Sequence, residues 1–367
     1  MSNILNKLTF KKSYVTVPAT ALALAISAQA MADVTVYGRA HVSTDYLDDG
    51  KDYSEVNFSS NSSRLGFKGE HEVNPKLKAF FQIEQEINFT TGKTEDGTDF
   101  ATRDTFVGLS GDFGAVQMGR FDSPFKKARG PANLFGDQLG DMRNLTREGD
   151  GRFDERYDNT LQYTSPSFSG LKVALAYSSY EGETKENSSS DAISLALNYG
   201  NGPFAAALAY EDVGKDNGAF NSDGTRKDSI GKRKGLRLAG SYKLNDNFKM
   251  VAFYQNVDHK AGTKVERDEN SSDTFGLGGE YQIGKNTALK AMWMLRDSDA
   301  DKADANMYVI GAEHKLSKQV RVYANYALVD NDADSSLTPW GQGRSAGPDG
   351  MDDEQAQGVS VGLRYDF

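Results

Sequence analysis

The last ten residues, Gly358 to Phe367, constrain the fold most. In GVSVGLRYDF, Val359, Val361, Leu363, Tyr365 and Phe367 are apolar, while Gly358, Ser360, Gly362, Arg364 and Asp366 between them are small or polar. Period 2 is the signature of a β-strand with one apolar face. Here that face runs to the final aromatic residue, where soluble chains ordinarily carry polar, frayed residues. A strand with lipid on one side and water on the other reads this way.

Residues 1–32 supply a route to lipid. Lys7, Lys11 and Lys12 form a positive n-region, Val15 to Ser27 is mostly small and apolar, and Ala30-Met31-Ala32 is a small-x-small cleavage site before Asp33. This is the pattern of a cleaved secretory signal, leaving 33–367 as the mature domain. A membrane anchor fits poorly, because Pro18 and Thr20 interrupt a run already short for spanning. No later stretch approaches the roughly 20 apolar residues of a transmembrane helix, so a spanning chain must be a closed β-barrel. The chain has no cysteine, which leaves the backbone hydrogen-bond ladder to hold an exported fold.

Period-2 reading predicts an all-β, 16-stranded antiparallel barrel, with strands at 34–46, 62–73, 77–89 and 101–110 and so on to 356–367. Tight turns such as Asn74-Pro75, Gly111-Asp112-Phe113-Gly114 and Ser317 to Gln319 alternate with longer joints. Short turns on one rim and long loops on the other match a barrel inserted from the periplasm, with both termini on the periplasmic side. Parity sends Val36, Gly38, Ala40, Leu65 and Phe67 to lipid, and Tyr37, Arg39, His41, Arg64, Lys68 and Glu70 to the lumen. Arg156, Asp158, Thr160 and Gln162 share a lumen face, and Arg120 falls outward with Val116 and Met118. A cationic residue on the lipid face would cost about 2–4 kcal/mol at midplane, so a wet, charged lumen follows. In the strand from Phe248 to His259, both parities are apolar, and Met250, Ala252 and Tyr254 compete with Val251 and Phe253 for the lipid face.

One joint differs in content. Residues 122–155 lack strand periodicity yet hold Phe125, Leu134, Phe135, Leu139, Met142 and Leu145, which need a surface to pack on, together with Asp137 and Asp141. A loop of this length is usually functional or disordered. The functional reading is a loop folded into the barrel that narrows the pore, and the alternative is an ordinary outer loop.

The chain resembles the general trimeric porins of Gram-negative outer membranes, more specifically the gammaproteobacterial type. The resemblance rests on VTVYGR at 34–39, SSRLGFKGE at 62–70, RDTFVGLSGDFGAVQMGR at 103–120, ANLFGD at 132–137, RYDNTLQYTSPSFSGLKVALAY at 156–177 and the terminal LRYDF. It implies that the third outer loop folds inward and sets an acidic edge, Asp137 and Asp141, opposite a wall of arginines, Arg39, Arg64, Arg103 and Arg156. It also implies a homotrimer in which the second loop, with Glu95, Asp96 and a partner such as Arg120, latches onto a neighbour. The terminal Tyr365 and Phe367 would address the barrel-assembly machinery, and lipopolysaccharide would surround the outer loops. The family often carries Pro-Glu before a Phe-Gly-Gly-Asp, whereas this chain has Asn133-Leu134-Phe135-Gly136-Asp137. Which carboxylate lies nearest the arginines stays open.

The function expected is passive diffusion of small hydrophilic solutes and ions across the outer membrane, with no enzyme activity, cofactor, metal or nucleic acid. Without residues 1–32, which carry three lysines and no acid, 39 Lys and Arg face 52 Asp and Glu, a formal charge of −13. Acidic outer loops would concentrate cations at low salt, so mild cation selectivity is expected. Aspartate clusters at Asp297/Asp299/Asp301 and Asp330/Asp332/Asp334 lack the Gly and Glu of a calcium loop. Rivals are a sugar-selective porin using Tyr37, Phe80 and Tyr323, and an adhesin or structural barrel. The four histidines supply no nucleophile–base pair for an enzyme, and His41 has no evident partner.

Overall fold

A computed structural model describes residues 34–92, 100–147, 149, 153–179, 191–214, 231–260, 263–345 and 347–367. The segment read as a secretory signal lies outside them, as do Glu95 and Asp96. Strands β1 (Thr35–Asp48), β2 (Ser54–Ser60), β3 (Arg64–Asn74), β4 (Leu77–Glu86), β5 (Thr105–Gly111), β6 (Gly114–Asp122), β7 (Arg156–Thr164) and β8 (Leu171–Ser178) form one half of the wall. The other half is β9 (Ala192–Asn201), β10 (Phe204–Val213), β11 (Arg233–Lys243), β12 (Phe248–His259), β13 (Ser272–Ile283), β14 (Thr287–Ser298), β15 (Ala305–Lys315), β16 (Val320–Asn331) and β17 (Gln355–Asp366).

Neighbours in sequence pair antiparallel around the ring. β17 returns to β1 from Arg39↔Asp366 to Asp48↔Gln357. β2 and β3 both pair with β1, over Val42–Asp48 and Thr35–Arg39, and so act as one broken stave. The result is a closed 16-stave barrel in which, among the described residues, every strand but β2 pairs with a neighbour on both sides. The outward face of β17 carries Val359, Val361, Leu363, Tyr365 and Phe367, each exposed in the isolated barrel where lipid would cover it.

The broken stave departs from the sequence reading, which began a single strand at 62. Val56 and Phe58 already alternate outward, so the stave starts at Ser54 and the first outer joint shrinks to 49–53. Ser62 has φ 50, and the Asn61–Ser63 run bonds to side chains and carbonyls inside the barrel instead of propagating the ladder. Likewise the strand expected over 101–110 starts only at Thr105, because Ala101 has φ 69, outside the extended region. The joint over 299–304 is also short, so long outer joints are less uniform than the rhythm predicts. A register shift between Gly119 and Phe121 against β7, with Asn159 at φ 48, breaks simple alternation there. Tyr157, outward by parity, is instead buried and donates to Glu211 at 2.8 Å.

One glycine seats the end of the chain at the seam. Gly38 and Phe367 exchange backbone hydrogen bonds of 2.9 and 3.1 Å, and the Phe367 ring lies over Gly38, where a Cβ would sit 2.4 Å from Cζ and 2.7 Å from the Arg64 carbonyl. Gly38→Val is therefore expected to lower the yield of folded barrel, read as loss of the fast-migrating species in unheated detergent gels. Gly240→Ala, whose added methyl would meet only the Ala205 carbonyl at 3.9 Å, should leave that species intact.

Candidate functional site

The long third joint lies inside the barrel. It holds α1 (Pro124–Lys127) and α2 (Arg143–Thr146), and Phe125, Phe135, Leu139, Met142, Leu145 and Phe153 within it are at most 2% exposed. Their partners are lumen-facing wall residues: Phe135, Leu139, Met142 and Leu145 share one buried cluster with Val251, Phe253, Met292, Met294, Met307 and Val309, and Phe125 and Phe153 share a second with Ala192, Ala196, Ala207, Ala209 and Val257. This accounts for the double apolar parity of β12. Met250 stands 47% exposed on the lipid side, while Val251 and Phe253 turn inward to receive the loop.

Arg237 of β11 anchors both ends of the loop. Its guanidinium, fully buried, donates to the Phe125 carbonyl at 2.9 Å and pairs with Asp154, while stacking 4.2 Å from the Phe125 ring. Gln255 accepts from Arg237 and donates to the Thr146 carbonyl at 2.8 Å. An ion pair so placed is held by what its removal would strand, a buried carboxylate.

Pressed against the β9–β16 wall, the loop leaves a polar gap on the β1–β7 side, a cavity of about 340 Å³. Asp137 stands at its edge. Arg39 Nη1 lies 3.2 Å from its carboxylate, Arg64 Nη2 3.6 Å and Arg143 Nη2 2.8 Å. Asp141 points back into the loop: it is fully buried, accepts from Arg143 Nε and Nη2 and from the Asp137 amide, and fixes the turn that presents Asp137. Of the two carboxylates, Asp137 is the one that meets the wall arginines.

The wall cations are paired with acids the sequence reading did not single out. Arg103 bonds Glu84 at 2.6 Å and Glu86 at 2.7 Å, Arg64 lies 3.5 Å from Glu84, and Arg156 Nε sits 2.7 Å from Asp104 and 3.0 Å from Asp122. Inward parity on β4, shared by Gln82, Glu84 and Glu86, was the signal that could have found them. The outward parity of Arg120 is overturned by the bulge: it lines the same cavity, bonded to Asp158 and to the Thr102 carbonyl. Its proposed partners Glu95 and Asp96 fall outside the described residues. His41 has a partner that the sequence did not reveal, the Tyr323 hydroxyl at 2.9 Å.

Nine cationic side chains and five carboxylates line the cavity, while Glu84, Asp104, Asp141, Asp158 and Asp45, which pair with those cations, do not line it. Third-loop residues Lys126, Arg129, Arg143 and Arg147 contribute four of these cations, against three from the strands, Arg64, Arg120 and Arg156. Burial disfavours charge on Asp137, but Arg143, Arg64 and Arg39 outweigh it and hold the carboxyl well below the usual range. Burial, with Arg156, Arg129 and Arg143 nearby, pushes the Lys126 ammonium down to about 8 against the pull of Asp122, 2.9 Å away.

A closed barrel with an apolar outside, a charged lumen and a loop folded across it defines an outer-membrane diffusion channel. A family profile described as Gram-negative porin matches residues 19–334, and the chain belongs to that family. It is 29% identical to the major outer membrane protein P.IB of Neisseria gonorrhoeae over 353 residues, covering 80% of this chain and 96% of that protein. The anion-selective porin from Comamonas acidovorans superposes with TM-score 0.75 at 26% identity, over 91% of this chain and 99% of that one. The trimer form of OmpT from Vibrio cholerae matches at TM-score 0.63 and 19% identity, over 91% and 99%, a likeness of fold. The protein is accordingly a porin of the Gram-negative outer membrane and not an enzyme.

Arg237→Ala would leave Asp154 buried without its strongest partner, a loss on the order of 3–5 kcal/mol borne by loop docking. The barrel ladder is untouched, so the folded gel species should persist while protease begins to cut within 122–155. Equal protease resistance of variant and wild type would show that Arg237 does not hold the loop.

Proposed function

We propose that the protein is a water-filled porin for small hydrophilic solutes whose narrowest stretch, between loop 122–155 and Arg39, Arg64, Arg103 and Arg156, prefers anions. The observation that supports the preference is that, among the side chains lining the gap, cations outnumber carboxylates nine to five, their remaining partner acids not reaching its surface. Fixed charge at a constriction sets which ion is concentrated there, and it is screened less than charge in the open vestibule. This reverses the mild cation selectivity expected from the net charge of −13, since that excess lies over the chain as a whole and not at the gap. The anion-selective neighbour from Comamonas acidovorans supports the same direction.

Opposed charge across the gap also creates a transverse field, in which dipolar solutes align and apolar ones lose ordered water. A sugar lane is disfavoured: Tyr37 donates to Glu84, Phe80 packs edge-on to Phe106, and Tyr323 is 3% exposed. Residues 1–32 would be the cleaved export signal, and the terminal Tyr365 and Phe367 the signal read by the assembly machinery. Trimer formation through the second loop is part of the same reading, supported by the family and tested by the migration of unheated samples in mild detergent. Lipopolysaccharide would contact the outer loops.

Reversal potentials in a salt gradient test the preference. Wild type should favour anions at moderate and high salt; Arg64→Ala and Arg156→Ala should each move selectivity toward cations and speed swelling by larger sugars. Asp137→Asn should move it toward anions. Cation preference in wild type at every salt concentration would reject the proposal.

A pH series adds an independent check. Lys126 is charged below about 8 and neutral above it, so raising the pH from 7 to 9 removes one positive charge from the gap. Anion preference should weaken over that window in wild type and stay flat in Lys126→Gln.

A further inference from the structure

The last outer loop, 332–354, also enters the barrel. Trp340 is 4% exposed and belongs to the buried cluster of Leu139 and Met142 from the third loop and Leu47 from β1. Its backbone and side chains bond to the third loop directly: the Gly140 amide donates to the Pro339 carbonyl at 2.8 Å, and Arg147 donates to Gln342 at 2.9 Å. Gly343, at φ 72, lies so close to the acidic edge that a Cβ there would sit 2.4 Å from Arg143 Nη2 and 2.8 Å from Asp137 Oδ1.

We propose that loop 332–354 is a second constriction element that clamps the Asp137 edge of the third loop, latched to the wall by the Arg344–Asp45 ion pair. The latch joins a residue of this loop to one in β1, with both side chains at most 1% exposed. Two further bonds seat the loop on the break between β2 and β3: Ser62 Oγ donates to the Gly343 carbonyl at 3.1 Å, and the Ser345 amide donates to Ser59 Oγ at 2.9 Å. The irregularity at Asn61–Ser63 is then the seat of the loop, which explains why the second stave breaks where it does. A buried pair of this kind fixes geometry more than it adds stability, because breaking it strands a charge. The stem is narrow, since a Cβ on Gly350 would sit 2.2 Å from the Ser336 carbonyl, so the loop is an appendage that can be cut at its base.

The proposal rests on the channel reading and is tested apart from it, because every variant is compared with conducting wild-type channels. Joining Ser336 to Gly350 through a short glycine linker should leave the folded gel species intact and raise single-channel conductance about two-fold or more, since conduction follows the narrowest cross-section. Asp45→Asn and Arg344→Gln should each raise conductance and the exclusion limit for sugars, and the charge swap Asp45→Arg with Arg344→Asp should restore both toward wild type. Gly343→Ala, which leaves all charges in place, should alter conductance by displacing Arg143 and Asp137. If instead the truncated loop conducts like wild type, the clamp is refuted. The clamp is equally refuted if the single substitutions only shift the reversal potential in opposite directions at unchanged conductance, which would make Arg344 a wall charge and nothing more.

Discussion

Every feature of this protein depends on the hydrogen-bond closure of its sheet. In lipid an unpaired backbone amide has no water to fall back on, so the ring must be complete, and the pairing of β17 with β1 completes it. Once closed, the wall does not need its interior for stability in the way a soluble core does. Cations, carboxylates and glycines can face the lumen because the strands are held by their neighbours and by the apolar exterior.

That freedom is used unevenly around the ring. The β11–β16 wall is apolar toward the lumen and receives the third loop as a soluble protein's sheet receives a helix, through Phe253, Met294 and Val309. The β1–β7 wall is charged and stays wet. The loop therefore has one side that binds by burial and one that presents charge, and the division between them positions Asp137 against Arg39 and Arg64. Arg237 works within the apolar half, where a charge is tolerated because Asp154, the Phe125 carbonyl and Gln255 satisfy it.

The sum of charges over the chain and the charge at the gap point in opposite directions. Net charge counts residues wherever they lie, but a permeating ion responds to those it passes within a few ångströms, where water is scarce and screening weak. Four of the cations nearest the gap come from the third loop, whose side chains could not be placed by parity because a loop has no period.

The alternation in β17 and its sister strands determined the barrel, its stave number and its lipid face, since period 2 is a local property that survives without knowledge of neighbours. The apolar residues of 122–155 showed that the loop needed a surface, but the two apolar parities of β12 left its lipid face undecided until the fold turned Val251 and Phe253 toward the loop. Only tertiary structure decided the rest: that Asp137 meets the arginines while Asp141 turns inward, that Glu84 and Glu86 pair with Arg103, and that a bulge brings Arg120 to the cavity. These outcomes rest on contacts between residues far apart in the chain and on single left-handed positions such as Ser62 and Asn159, which reset which way the following residues face. Local patterning says which side of a strand is greasy, but the partner of each charge is set by what the closed ring places across from it.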